Sequence, residues 1–167
     1  MSQSTLPPRP RAIGAQQNIS IIASLYNDDY VGPMLRATQE ELAQVLTDAT
    51  LPVFRVPGAY EIPVCAEYLA RNSNPDVIVA LGVIIRGETA HADLVAQSVA
   101  DALQRIALDH VIPVINEVLL VDNAEQAAER CLGTRINRGI EAARAAAGMA
   151  EMFQKLKQAY PGQLTDG

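Results

Sequence analysis

The most restrictive feature of the sequence is the run Val77–Ile85, nine consecutive residues without a polar side chain. The run is rich in β-branched residues, and it is far shorter than the ~20 apolar residues of a membrane-spanning helix. A strand that is apolar on both faces must be covered on both faces, which is typical of the centre of a parallel sheet between two helical layers. The run therefore restricts the chain to an α/β architecture.

Strand-like and helical patterns alternate on either side of this run. Further strands are predicted over residues 19–25, 51–56 and 112–121, and helices over residues 33–47, 61–71, 91–106, 124–131 and 136–156. Because crossovers between parallel strands are right-handed, this order predicts a three-layer, doubly wound α/β fold around a four-stranded parallel sheet.

Two of the predicted helices have distinctive faces. The helix that begins near His91 carries an apolar stripe that is predicted to face the core. The stripe consists of Leu94, Val95, Val99, Ala102, Leu103 and Ile106. The last helix is rich in alanine between Ala142 and Ala150, which fits either close packing against another element or subunit, or simple helix propensity.

The length of 167 residues fits one domain, which we predict over residues 18–158. Residues 1–17 contain Pro7, Pro8 and Pro10 and no hydrophobic periodicity, so they are predicted to form an extended arm. Residues 159–167 are predicted to form a C-terminal tail.

Charge and cysteine content exclude several classes of function. Thirteen Lys and Arg residues against 19 Asp and Glu residues give a net charge of −6, whereas nucleic acids and anionic membranes require a basic face. Two cysteines, Cys65 and Cys131, are too few for a disulfide framework or a zinc cluster. The N-terminus lacks the basic and then apolar order of a signal peptide. We therefore expect a cytoplasmic protein without nucleic-acid or membrane partners.

Residues with chemical potential follow each predicted strand. The four strand ends lead into residues 26–27, 58–61, 86–91 and 122–123. Ligands of doubly wound folds bind beyond the carboxyl ends of the strands, so these segments are the candidate site.

The third of these segments favours an anion. Gly87 permits a close approach, Thr89 can cap the following helix, and unpaired N–H groups at a helix start bind anions. Arg86 or Arg130 could complete the clamp, whereas the carboxylate of Glu88 opposes it, so the spacing alone leaves the anion site open.

Histidine and tyrosine residues allow a functional and a structural interpretation. His91, at a helix start with Asp93 nearby, either exchanges protons near neutral pH or is an ordinary surface residue. His110 is interpreted as a capping or solvent-facing residue. Tyr26 and Asn27 either bind a planar heterocycle or form a turn, and Glu61 resembles ordinary helix-start acids.

Four blocks of the sequence are distinctive: VPGAYEIP at residues 56–63, ALGVIIRGETAHAD at 80–93, DNAEQA at 122–127 and NRGIEAA at 137–143. Together they resemble the lumazine synthase family of riboflavin biosynthesis. The resemblance runs from about residue 19 to residue 153, and it is specific because the four blocks stand in the order and at the spacing of the family.

The resemblance implies the flavodoxin-like lumazine synthase fold and a transferase activity. The implied reaction condenses 5-amino-6-(D-ribitylamino)uracil with 3,4-dihydroxy-2-butanone 4-phosphate and releases phosphate and water. It contains no redox step, so neither a cofactor nor a metal is expected. The alternative is a non-catalytic lumazine-binding or shell-forming relative, against which the presence of His91 and Arg130 argues.

The resemblance also implies roles for individual residues, with His91 as the proton donor. The residues implied to bind ribitylaminouracil are Tyr26, Asn27, Ala59, Tyr60, Glu61, Val83, Ile84, Ile85 and Asn116. Those implied to bind the butanone phosphate are Gly87, Glu88, Thr89 and Arg130. Three positions depart from the family pattern: Asn116 replaces a common aromatic residue, Arg138 replaces a lysine, and Leu25 replaces an arginine.

Assembly is implied as well. Members of the family form pentamers with active sites between subunits, and some build a sixty-subunit shell. Asn116 and Arg130 are then expected to face Tyr26 and His91 of an adjacent chain. The turn between Gly133 and Gly139 has no insertion that would prevent a shell, and riboflavin synthase is an expected partner.

Overall fold

A computed structural model describes residue 6, residues 8–10 and residues 16–162. The rest of the predicted arm, Pro7 included, and residues 163–167 of the predicted tail lie outside the described residues. The elements are β1 Gln17–Ser24, α1 Asp28–Val45, β2 Ala49–Thr50, β3 Val53–Val56, a 3-10 turn Ala59–Glu61, α2 Ile62–Asn72, β4 Val77–Ile85, α3 His91–His110, β5 Val114–Val121, α4 Ala124–Leu132 and α5 Arg138–Ala159.

All strand pairs of the sheet are parallel. The order is β2-β1-β4-β5, and β3 pairs with the same strand β1 as β2 does. The sheet thus has five strands where four were predicted. Gln17 pairs with Ala49 and Ile21 with Val53, so β2 and β3 continue in one register as a single interrupted edge. The interruption contains Pro52, which has no N–H to donate to the ladder.

The strand β4 is buried between two hydrophobic cores. Val77, Val79 and Leu81 face α1, α4 and α5, whereas Ile78 and Ala80 face α2 and α3. All five side chains are fully buried, and burial of one Val, Leu or Ile side chain stabilises a fold by roughly 1.5–3 kcal/mol. This arrangement confirms the predicted three-layer α/β fold.

The helix α1 begins five residues before the predicted start at Pro33, because Asp28 and Asp29 stabilise an earlier first turn. Both carboxylates lie at the positive end of the helix. Asp28 Oδ1 also accepts a hydrogen bond from Arg55 Nη2 of β3 at 2.5 Å. Pro33 therefore lies inside the helix rather than at its first position.

The small face of α5 packs against α1, which decides between its two interpretations. Ala142, Ala143, Ala146 and Ala147 are fully buried in the core that α1 shares. At Gly139, a Cβ atom would lie 2.3 Å from the carbonyl oxygen of Met34. The absence of a side chain thus permits the close contact of the two helix backbones.

In the described part of the chain, no helix combines the length and apolar character that crossing a membrane requires.

Replacement of Gly139 by Ala is expected to lower the free energy of unfolding by about 2 kcal/mol, because the new methyl group overlaps the α1 backbone. Gly148 of the same helix is the matched control, since a Cβ there would meet no atom within 4 Å. Gly148→Ala should raise stability by about 0.5–1 kcal/mol through helix propensity. Urea denaturation of both variants measures the difference, and equal stability of the two would contradict the packing argument.

Candidate active site

An open cleft of about 870 Å³ lies at the carboxyl ends of β1, β3 and β4, beside the start of α3. Three of the four predicted strand-end segments contribute to it. The lining residues are Tyr26, Asn27, Gly58, Ala59, Tyr60, Glu61, Val83, Ile84, Ile85, Gly87, Thr89, His91, Ala92, Leu94, Val95 and Ser98. The fourth segment, Asp122 and Asn123, is not part of the lining.

The ring of Tyr26 lies against Gly58, and the residue lines the cleft and is 68% exposed. A Cβ atom at residue 58 would lie 2.9 Å from Cδ2 of this ring. Gly58 is thus required for the position of Tyr26, and the exposed aromatic face is free to stack on a planar ligand.

Asn27 joins the first strand end to the central strand. Its backbone adopts a left-handed conformation with φ 59°, which Asn tolerates better than most residues. Its side-chain Nδ2 donates to the carbonyl oxygen of Val83 at 2.7 Å. One amide N–H of Asn27 is therefore committed to the protein.

Glu61 stabilises the turn after β3. Its Oε2 accepts a hydrogen bond from Gly58 N at 2.9 Å, and its own N–H donates to the Gly58 carbonyl oxygen. The reciprocal contact fixes residues 58–61, so that Ala59 and the 63% exposed Tyr60 line the cleft.

His91 is the first residue of α3, and its side chain is exposed at the cleft. Its backbone N lies 3.5 Å from Thr89 Oγ1. Asp93 does not orient His91, because it pairs with Arg86 at 2.9 Å.

His110 lies outside the cleft, half-buried, with Nε2 2.9 Å from Glu67 Oε2, so it neither caps α3 nor faces solvent freely.

The face of α3 that adjoins the cleft was only partly predicted. Val99, Leu103 and Ile106 are buried as expected, but Leu94 is 69% exposed and lines the cleft together with Val95 and Ser98. His91, Val95 and Ser98 have the i, i+4, i+7 spacing of one helix face, which is the signal that could have assigned them to the site.

Arg86 does not line the cleft, and its guanidinium is paired with two carboxylates. It donates to Asp93 and to Asp122 Oδ1. These hydrogen bonds lower the pKa of both carboxyl groups below their ordinary values. The interpretation of Arg86 as part of an anion clamp therefore finds no support in this chain.

Three other predicted site residues are not among the cleft residues. Glu88 is exposed in the loop between Gly87 and Thr89. Asn116 is exposed on β5, where its Oδ1 accepts from Val118 N at 3.0 Å. Arg130 is half-buried on α4.

Comparison with known proteins identifies the family. A family model described as 6,7-dimethyl-8-ribityllumazine synthase matches residues 16–154. The chain belongs to this family. A relative named 6,7-dimethyl-8-ribityllumazine synthase, from Polaromonas sp. (strain JS666 / ATCC BAA-500), is 35% identical over 144 residues, which cover 86% of this chain and 91% of the relative.

Membership in the 6,7-dimethyl-8-ribityllumazine synthase family confirms the resemblance, the fold and the assignment as a transferase of riboflavin biosynthesis. It does not favour the non-catalytic alternative. The roles of the individual site residues stay predictions.

A second polar cluster lies on the opposite side of the sheet and contains Arg138, one of the departures from the family pattern. Arg138 Nη1 donates to Glu141 Oε2 at 2.6 Å, while Arg138 Nε and Glu141 Oε1 are buried without a hydrogen-bond partner. Burial raises the pKa of the nearby Glu117 to about 7; Arg138 counteracts this shift and Glu141 adds to it. Glu117 is therefore largely protonated in mildly acidic solution.

The raised pKa of Glu117 predicts a loss of stability with rising pH. Between its ordinary value of about 4.5 and about 7, the folded protein holds a proton that the unfolded chain has released. The free energy of unfolding therefore falls as the pH rises from about 4.5 to about 7, and this contribution of Glu117 is lost above pH 7. We expect Glu117→Gln to raise the free energy of unfolding by about 2 kcal/mol more at pH 8 than at pH 5.

Urea denaturation of wild type and variant at the two pH values measures this effect. Glu40→Gln, at an exposed position of α1, is the control and should leave the pH dependence unchanged. An equal effect of Glu117→Gln at both pH values would contradict the raised pKa.

Proposed function

We propose that the cleft condenses 5-amino-6-(D-ribitylamino)uracil with 3,4-dihydroxy-2-butanone 4-phosphate to form 6,7-dimethyl-8-ribityllumazine. The observation that carries this proposal is that an exposed aromatic ring, Tyr26, and a helix-start imidazole, His91, share one cleft. In the reaction, the uracil amine attacks the ketone to form an imine with loss of water. Phosphate then leaves, and the second amine closes the ring with loss of another water molecule.

The pyrimidine binds at the end of the cleft near β1 and β3. Tyr26 stacks on the ring, and the turn Ala59–Glu61 contacts the ring and the ribityl chain. Val83, Ile84 and Ile85 of β4 form an apolar wall that excludes water from one side. A ligand held in this way loses translational freedom before the reaction, which is a large part of the rate that an enzyme supplies.

The butanone phosphate binds at the loop before α3. The loop backbone at Gly87, Glu88 and Thr89 supplies N–H donors, and the first turn of the 20-residue helix α3 adds its positive dipole end. A Cβ atom at Gly87 would meet no atom within 4 Å, so an anion has room to approach the backbone there.

A second copy of the chain completes the site. Within the described residues, neither Lys nor Arg lines the cleft, although a phosphate requires a cation. Arg130 and Asn116 lie elsewhere on the same chain, and we propose that an adjacent subunit supplies them. The assembly is a pentamer, which buries exposed apolar side chains such as Tyr60, Val64 and Tyr68 of the α2 region.

Larger assembly, location and partnership are further parts of the proposal. Pentamers associate into a sixty-subunit shell, and the enzyme works in the cytoplasm beside riboflavin synthase. Within the described part of the arm, Arg9 binds Glu41 of its own α1, with Nε and Nη2 each 2.9 Å from a carboxylate oxygen. Pro8 and Pro10 beside it cannot donate to a neighbouring sheet.

Replacement of His91 by Ala is expected to lower kcat about 10²-fold without abolishing turnover, because proton transfer is lost while substrate positioning remains. Lumazine absorbance after mixing the two substrates measures the rate. His110→Ala is the matched control and should retain wild-type turnover, since His110 contacts Glu67 away from the cleft. Unchanged turnover of the His91 variant would refute its role, and absence of product with the wild-type protein would refute the proposed reaction.

Sites shared between subunits predict complementation of two impaired variants. Arg130→Ala and His91→Ala each impair every site of their own assembly. If the two chains are co-expressed in equal amounts, about one quarter of the sites should combine an intact His91 with an intact Arg130 from the neighbour.

Light scattering of the wild-type protein measures the size of the assembly and should give a mass of five chains or a multiple. A monomeric mass, or no recovery of activity in the mixed assembly, would contradict the proposed interface.

A further inference from the structure

An ion pair between Arg86 and Asp93 connects the two ends of the segment that contains the proposed anion site, Gly87–Thr89. Arg86 precedes the loop and Asp93 follows it, and Arg86 Nε and Nη2 lie 3.2 and 2.9 Å from Asp93 Oδ1. Arg86 Nη1 donates in addition to Asp122 Oδ1 at the end of β5. The guanidinium thus bridges the first turn of α3 and the adjacent strand.

Arg86 and Asp122 are each held by further hydrogen bonds. The backbone N–H of Arg86 donates to the carbonyl oxygen of Val121 at 2.9 Å. Asp122 accepts from Gln126 Nε2 at 3.0 Å and donates its own N–H to Gln126 Oε1 at 3.0 Å. The bridge therefore connects the sheet, α3 and the first turn of α4 in a defined geometry.

The loop itself has few other constraints. Residues 86–91 are all exposed, and a Cβ at Gly87 would have no neighbour within 4 Å. Within the loop, Thr89 Oγ1 lies 3.5 Å from His91 N, which is at the limit of a hydrogen bond. The order of the loop must therefore come largely from its two ends.

We infer that Arg86, paired with Asp93 and Asp122, is a positioning residue that holds the Gly87–Thr89 backbone and His91 in the arrangement required by the phosphate-bearing substrate. This inference deepens the proposed function and rests on it. None of the three paired residues lines the cleft, so Arg86 acts through the loop and not by contact with substrate within its own chain.

Global stability depends little on the same contacts. The paired side chains are 41%, 50% and 57% exposed for Arg86, Asp93 and Asp122. Exposed ion pairs contribute little to folding, so loss of Arg86 should affect the loop far more than the fold. Because Arg86 lowers the pKa of both carboxyl groups, the pairing persists through the neutral pH range.

The test compares Arg86→Gln with Arg71→Gln, the matched control, whose ion pair with Glu67 lies on α2 away from the cleft. Arg86→Gln is expected to raise KM for the butanone phosphate about tenfold and to lower kcat, while KM for the pyrimidine changes less than about twofold. Asp93→Asn should cause a similar effect, and the double variant should be no worse than Arg86→Gln alone. Arg86→Lys should rescue part of the loss, because lysine reaches one carboxylate but cannot bridge two.

Hydrogen–deuterium exchange provides a readout that does not depend on activity. Amides of residues 87–92 should exchange faster in Arg86→Gln than in wild type, with unchanged exchange in β1 and β4. Unaltered exchange of this segment, or an equal rise of both KM values, would overturn the inference. A wild-type protein that forms no lumazine would instead refute the proposed reaction, and the exchange result would then decide alone whether Arg86 orders the loop.

Discussion

Burial of β4 on both faces is the constraint on which the remaining structure depends. Val77 through Leu81 are fully buried between one helical layer of α1, α4 and α5 and another of α2 and α3. The neighbouring strands β1 and β5 pair with β4 in parallel, and the helical crossovers of a parallel sheet supply the two covering layers. The carboxyl ends of β1, β3 and β4 consequently meet at one edge, and the cleft forms there because the loops diverge toward opposite layers.

Local signals explain how much of this fold could be predicted. Every residue of β4 was assigned correctly, since its apolar run needs no knowledge of tertiary partners. The early start of α1 was missed although Asp28 and Asp29 are a local signal for a first helical turn, whereas the contact of Asp28 with Arg55, 27 residues away, gives no local signal. The exposure of Leu94 was missed for a similar reason: helical periodicity identifies an apolar face, but not whether a core or a cleft lies opposite.

The residues of the candidate site also divide into those that local sequence signals predict and those that depend on distant contacts. Segments 26–27, 58–61 and residues Gly87, Thr89 and His91 share one cleft because they follow strands whose order the fold determines. Asn116, which only the family resemblance assigned to the site, and Arg130, which the resemblance and its charge both suggested, do not line the cleft in one chain. A family resemblance can assign a residue to a site that a neighbouring subunit completes, whereas spacing within the sequence places residues only within one folded chain. The pairing of Arg86 with Asp122 depended on a contact across 36 residues, so sequence spacing did not indicate it.

The charges around the cleft explain why the proposed reaction depends on the proposed assembly. Arg86 is the arginine nearest in sequence to the anion loop, and its guanidinium is occupied by Asp93 and Asp122. Within the described residues of one chain, the proposed phosphate site then has no Lys or Arg side chain, and the helix dipole supplies only roughly half an elementary charge beside the Thr89 hydroxyl and the backbone N–H groups. A phosphate monoester carries close to two negative charges at neutral pH. The proposed function therefore requires a further cation from outside the cleft, and in the proposed assembly Arg130 of an adjacent subunit supplies it. Catalysis by the isolated chain would therefore be limited by binding of the phosphate, even with His91 correctly oriented.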